Sequence, residues 1–178
     1  EESINLANEM KKYGASMLDT PLVKSRQAAI DGKLGIYAGG STDDFNTVKP
    51  YLEMIGTDII HMGNNGMGLV MKICHNMLVG EIQNGVNEMM ILAEKFGISC
   101  QDFSKAISMG GASNSYLAGK AENIDRRDWS PAFSIENMYK DVNIARGMIK
   151  KEKLNLPGTE VVLEIYEKAV AENLLKED

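Results

Sequence analysis

An α/β segment over residues 1–63, then an all-α segment over residues 64–178, with one long helix at the junction: this is the architecture the sequence predicts. Three observations lead there. Short apolar runs closed by glycine or proline, the mark of strands, occur only before Gly63. Beyond it, apolar residues recur at helical spacing. From about Gly66 to Phe96, before Gly97 stops it, one run makes a helix on the order of 45 Å long at 1.5 Å per residue.

The elements follow in order. Ile4, Leu6, Ala7, Met10 and Tyr13 form one face of a first helix, stopped by Gly14. Ala15-Ser16-Met17-Leu18 reads as a short strand ending at Asp19-Thr20-Pro21, and Leu34-Gly35-Ile36-Tyr37-Ala38 as a second strand running into Gly39-Gly40. Ser41 or Thr42 caps a helix that ends near Gly56, and Asp58-Ile59-Ile60-His61-Met62 is a third strand. Asn64 or Asn65 caps the long helix, which has Ile82, Val86, Met89, Met90 and Ala93 as its inner stripe and is stopped by Gly97. Ser99 and Asp102 resemble a capping box, Gly110-Gly111 closes that helix, and another starts near Ser113. Ser134 caps a helix carrying Met138, Val142, Ala145 and Ile149. Leu156-Pro157-Gly158-Thr159 then breaks the chain before a last helix of Val161, Val162, Ile165, Ala169 and Val170.

With 25 acidic against 19 basic residues the net charge is −6, which argues against nucleic acid or an anionic membrane as a partner. Arg126-Arg127 is too short a basic run to alter that. No stretch reaches the roughly 18–20 uninterrupted apolar residues of a membrane span, and Glu1-Glu2-Ser3-Ile4-Asn5 has no signal-peptide character. The two cysteines, Cys74 in the apolar helix and Cys100 at a helix start, are expected to be reduced thiols of a cytoplasmic protein, Cys74 as a buried small hydrophobe. No metal site is expected.

The stretch Gly66-Met67-Gly68-Leu69-Val70-Met71-Lys72-Ile73-Cys74-His75-Asn76 carries the chemistry. Between Leu69 and Val79 the polar side chains are Lys72, His75 and Asn76, and spacings of i, i+3 and i+4 place them on one helical face in an otherwise apolar, buried-looking run. Desolvation disfavours a charged ammonium and suits it to exchange a proton near neutrality. The alternative is a lysine snorkelling from a partly exposed face.

These features, in this order, resemble the β-hydroxyacid dehydrogenase family. Asp19-Thr20-Pro21, Gly32-Lys33-Leu34 and Ala38-Gly39-Gly40 look like its D-A-P-V-S-G-G segment and the following strand. Gly66-Met67-Gly68 through Lys72 to Asn76 matches its G-x-G-x-x-x-K-x-x-x-N motif at every defined position. Arg127-Asp128-Trp129-Ser130-Pro131-Ala132-Phe133 and Lys140-Asp141-Val142-Asn143-Ile144-Ala145 are similar to its R-D-F-S-P-x-F and K-D-L-x-L-A motifs. The resemblance implies the C-terminal part of a Rossmann domain at 1–63 and a helical substrate and dimerisation domain at 64–178, similar to that of 6-phosphogluconate dehydrogenase. The glycine fingerprint G-x-G-x-x-G of the first strand–turn–helix is absent, so the span reads as a C-terminal portion that is inactive by itself.

What the resemblance implies for activity is hydride transfer between NAD or NADP and a short β-hydroxy acid or its semialdehyde. Lys72 is the proton-transfer residue and Asn76 the group that holds the substrate. Gly66, Gly68 and Lys140 are cofactor-binding, though Lys140-Asp141 is equally a charged helix face. His75 is either a substrate contact, as in the K-x-x-H-N helix of 6-phosphogluconate dehydrogenases, or a satisfied structural histidine. The acid that those enzymes carry seven residues after the lysine is Val79 here, which implies no decarboxylation. Val23-Lys24-Ser25 replaces the family's Ser-Gly-Gly. Lys24 either pairs with a second anionic group of the substrate or is a solvated loop residue. Phe133 aligns with an aromatic near the substrate but also suits a core position. A homodimer or tetramer is implied; a non-catalytic assembly module of the same fold is the competing function.

Overall fold

A sheet of three strands, β1 (Leu22–Val23), β2 (Leu34–Gly39) and β3 (Gly56–Gly63), organises the first part of the computed structural model, which describes residues 1–178. Strand β2 is central, antiparallel to β1 and parallel to β3. Its residues are almost continuously buried, with Ile36 and Ala38 fully so, as expected of a strand covered on both faces. Helix α1 (Glu2–Lys12) precedes the sheet, α2 (Arg26–Ile30) follows β1, and α3 (Thr42–Leu52) makes the crossover that a parallel pair requires. Ser41 caps α3 through the Asp44 amide, and Phe45 and Leu52 are its buried residues.

The expected strand at Ala15–Leu18 is displaced. Residues 15–18 are irregular, and pairing with β2 begins at Asp19, which exchanges backbone hydrogen bonds with Gly39, and continues at Leu22 opposite Ile36 and Val23 opposite Gly35. Pro21 lacks an amide hydrogen but still offers its carbonyl to the Tyr37 amide at 3.2 Å, so the edge tolerates it.

Helix α4 (Met67–Lys95) runs 29 residues without a break. The chain divides into two compact units, Glu1–His75 and Asn76–Asp178, and α4 contributes to both. The second unit adds α5 (Cys100–Ile107), α6 (Ser115–Arg126), α7 (Ile135–Lys151) and α8 (Pro157–Ala171). Ser99, Asn114 and Ser134 cap α5, α6 and α7 with side-chain oxygens, and Pro157 opens α8. One core cluster joins Val86 and Met90 to Cys100 and Leu117. A second face of α7, made of Met138, Val142 and Ala145, is buried, as are Thr159, Val162, Leu163 and Tyr166 of α8. A Cβ built on Gly80 would stand 2.9 Å from the Val162 side chain, so a glycine is what lets α8 approach α4 there.

Three expectations about burial need correction. Met89 is exposed, not part of the inner stripe of α4, and Val161 and Ile165 lie outside the buried face of α8. Cys74 is exposed, whereas Cys100 is buried; both are free thiols. No helix is long and apolar enough to cross a membrane.

Candidate active site

The site begins at the N-terminus of α4. Four amide hydrogens at a helix start have no partner within the helix. The sequence suggests Asn64 or Asn65 as their acceptor, but the structure assigns that role to Asp19, which is 6% exposed. Its carboxylate accepts the Gly66 amide at 2.6 Å and the Leu69 amide at 3.0 Å, while the Asn65 side chain donates to the Met17 carbonyl at 2.6 Å. An anionic group at this end also opposes the helix dipole favourably.

Gly66 and Gly68, expected to bind cofactor, are positions of close packing. A Cβ on Gly68 would lie 2.6 Å from the Tyr37 carbonyl oxygen and 2.9 Å from the Asp19 carboxylate; one on Gly66 would meet Ile4 at 2.9 Å, at a φ of +92°. Gly68→Ala therefore pushes α4 off the sheet against a backbone atom that cannot rotate away. The expected loss of stability is about 1–3 kcal/mol, read as a lower urea midpoint with an unchanged slope.

Lys72 follows one turn after Leu69 and is half-buried. The surrounding run is less enclosed than its composition suggests: Ile73 and Met77 are buried, but Leu69 and Leu78 are exposed. His75, also half-buried, has Nδ1 3.2 Å from the Tyr37 hydroxyl, with the two rings tilted at 55°. Burial, and secondarily the positive charge of Lys72, hold the His75 pKa below the usual imidazole value.

Asn76, one turn beyond Lys72 on the same helix, is 6% exposed and donates from Nδ2 to Asp141 Oδ2 at 2.6 Å. A carboxylate only accepts, so the amide nitrogen must face it, which leaves Asn76 Oδ1 oriented for another donor. Asp141 is buried too, and its Oδ1 lies 3.3 Å from the largely exposed Lys140 ammonium. In the sequence Asp141 is only the neighbour of Lys140; its contact with Asn76 is what the sequence does not anticipate.

The other expected substrate contacts have partners or burial of their own. Val23 is a buried strand residue. Lys24, at φ +81°, donates to the Lys33 carbonyl at 2.9 Å and to the Asp58 carboxylate; the latter bond, with one from Thr57, holds the Asp58 carboxyl below its usual pKa. Ser25 caps α2. The Lys24 ammonium is thus already partnered by a carboxylate and a carbonyl. Phe133 is 42% exposed, in a loop pinned by Asp178, whose carboxylate accepts the Ala132 and Phe133 amides at 2.6 and 3.2 Å and the Lys120 ammonium at 2.5 Å. A cavity of about 360 Å³ lies beside that clamp, lined by Tyr116, Lys120 and Trp129 among others, and includes neither Lys72 nor Asn76.

Comparison with known proteins agrees with the motifs. A family model described as the NAD-binding domain of NADP-dependent 3-hydroxyisobutyrate dehydrogenase matches residues 66–178, and one for the NAD binding domain of 6-phosphogluconate dehydrogenase matches residues 1–63. The 2-hydroxy-3-oxopropionate reductase of Escherichia coli K12 is 31% identical over 96% of this chain and 58% of its own length. Glyoxylate/succinic semialdehyde reductase 1 of Arabidopsis thaliana is 26% identical over 95% and 58%. This chain therefore spans less than two thirds of these relatives. The structure of Mycobacterium tuberculosis 3-hydroxyisobutyrate dehydrogenase superposes with a TM-score of 0.91 at 24% identity, covering 99% of this chain and 63% of that one, a likeness of fold. From the matched families, the four motifs and the shared fold, the chain belongs to the β-hydroxyacid dehydrogenase family.

Proposed function

We propose that this chain serves reversible oxidation of a short β-hydroxy acid to its semialdehyde with NAD or NADP, without decarboxylation. The observation that carries the reading is a half-buried Lys72 one helical turn before a buried Asn76 whose amide is oriented by Asp141. Lys72 Nζ takes the hydroxyl proton in oxidation and returns it in reduction. Asn76 holds the hydroxyl or carboxylate oxygen at a fixed direction, which turns a collision into a positioned encounter. Val79 stands where a decarboxylating enzyme needs an acid. Phe133, exposed on its clamped loop, supplies an apolar wall.

Nicotinamide supplies the hydride chemistry when bound. Lys140 fits such a cofactor: its ammonium is mostly exposed yet tethered by Asp141, so it can meet a phosphate or carboxamide oxygen. Gly66 and Gly68 pack against protein atoms where a Cβ would stand, and the Gly66 amide already donates to the Asp19 carboxylate. The names of relatives, 2-hydroxy-3-oxopropionate reductase and 2-(hydroxymethyl)glutarate dehydrogenase among them, share a primary alcohol or aldehyde β to a carboxylate. The test joins this span to the cofactor-binding residues that precede it in those relatives and follows nicotinamide absorbance with glycerate and 3-hydroxyisobutyrate. Turnover of at least one is expected with NAD or NADP; absence of turnover with every short β-hydroxy acid overturns the reading.

Self-association as a homodimer or tetramer is part of the same proposal. Leu78, Met89 and Leu92 are exposed and fall on one side of α4 by helical spacing, and Phe96, 80% exposed, follows just past its end. A stripe of this kind suits helix pairing with a second copy. Introducing Met89→Glu and Leu92→Glu together is expected to give a monomer in sedimentation at micromolar concentration, whereas a monomeric parent would refute the pairing. The two free thiols suit the reducing cytoplasm.

A further inference from the structure

We propose that Asp178 is a positioning residue for the reaction proposed above: with Lys120, its carboxylate fixes the backbone of Ala132 and Phe133, and thereby the place of the Phe133 ring. The inference rests on the dehydrogenase reading and adds to it a residue outside the matched motifs.

Most amides of the loop between α6 and α7 have local acceptors. Arg127, in the left-handed region at φ +54°, closes α6 with its amide on the Ile124 carbonyl, and the Asp128 amide donates to the Asn123 carbonyl at 2.8 Å. Asp128 Oδ1 then accepts the Ser130 amide at 3.0 Å, and Pro131 has no amide hydrogen to place. The next two amides, Ala132 at 2.6 Å and Phe133 at 3.2 Å, instead reach 46 and 45 residues along the chain to converge on Asp178 Oδ2. The other oxygen, Oδ1, accepts from the Lys120 ammonium of α6. One carboxylate thus ties the loop to the helix before it. The side chains of Lys120 and Asp178 are 25% and 17% exposed, so the pair is largely out of water and each charge holds the other in place.

Helix capping does not account for this carboxylate. The first two amides of α7, Ile135 and Glu136, donate to the Glu177 and Leu175 carbonyls at 2.8 and 3.1 Å, and Asn137 donates to Ser134 Oγ. The Asp178 amide donates to the Trp129 carbonyl at 3.1 Å, so residues 175–178 run as a strap beside 129–136. The strap backbone serves the helix, which leaves the Asp178 side chain to serve the loop. Phe133 stands immediately before the Ser134 cap and is 42% exposed, so it owes much of its placement to that backbone clamp. Small displacements there matter, because misplacing a positioning group by about 1 Å costs up to about 10²-fold.

Asp178→Ala tests the assignment in two ways. In the 178-residue chain, hydrogen exchange followed by NMR is expected to show the Ala132 and Phe133 amides protected although both residues are exposed, and the variant to lose that protection by at least about tenfold. The Ile135 and Glu136 amides, held by the strap backbone, stay protected and mark the variant as folded. In the span completed as above, the variant is expected to raise KM for the hydroxy acid about tenfold with kcat within about twofold, the pattern of lost substrate binding. In a Phe133→Ala background the same change is expected to raise KM less than about twofold, since the ring it places is gone. Ala132 and Phe133 amides that exchange freely in the parent overturn the clamp without any variant. Effects of the two substitutions that multiply in full overturn the positioning role and leave Asp178 a stabilising residue. A parent inactive on every short β-hydroxy acid overturns the dehydrogenase reading and the positioning with it, while the exchange result still decides the clamp.

Discussion

Lys72→Ala is expected to lower kcat by about 10²–10⁴ while leaving the fold in place, because general acid–base transfer by a positioned group contributes on that order. Lys72 is half-buried and lies within a continuous helix, and alanine is the best helix former, so no cavity of core size and no break in α4 follows. Lys72→Arg distinguishes the role of the proton from that of the charge. The guanidinium keeps the positive charge but does not release a proton near neutrality, so this variant is expected to be nearly as slow. Steady-state kinetics of the completed protein with circular dichroism of each variant checks both. A retained kcat in Lys72→Arg would mean that the residue acts as a fixed charge. The 178-residue chain offers an independent reading, since the Lys72 charge helps to hold the His75 pKa down. Removing that charge in Lys72→Ala is expected to move the imidazole titration upward, toward its ordinary value, in NMR.

The order of helices and the motif that carries Lys72 and Asn76 were legible because both are local: glycine stops, serine caps and i, i+4 spacing need no knowledge of distant chain. The long helix is an example, predicted over Gly66–Phe96 and found as Met67–Lys95. What stayed hidden depends on partners far along the chain. Asp19 meets the start of α4 across 47 residues, and Asp141 meets Asn76 across 65. Neither spacing leaves a periodic trace. The misplaced strand has the same origin: Ala15–Leu18 is apolar enough to be one, but the pairing slot along β2 is filled from Asp19 to Val23. Lys24 shows the limit for charges, because nothing local in the sequence marks Asp58 as its partner. Met89, Val161 and Ile165 show it for apolar residues, which periodicity assigns to a face without saying whether that face has a partner.

Asp141→Ala is expected to cost about 1–3 kcal/mol of stability, since it strands a buried Asn76 amide hydrogen without an acceptor, and to slow turnover by an order of magnitude or more. The two effects separate with Asp141→Asn. An asparagine there still presents a carbonyl oxygen to Asn76 Nδ2, so the amide keeps its orientation and kcat is expected to fall little. The Lys140 ammonium, now 3.3 Å from one carboxylate oxygen, loses its counter-charge, and the loss is expected in KM for the nicotinamide cofactor instead. The coupling between Asp141 and Asn76 is measurable directly. In an Asn76→Ala background the amide hydrogen is already gone, so adding Asp141→Ala should cost less in turnover than it does in the parent, a non-additivity of at least about 0.5 kcal/mol in activation free energy. Strict additivity would mean that the 2.6 Å contact does not orient the amide for the reaction, and Asp141 would then be a structural carboxylate only.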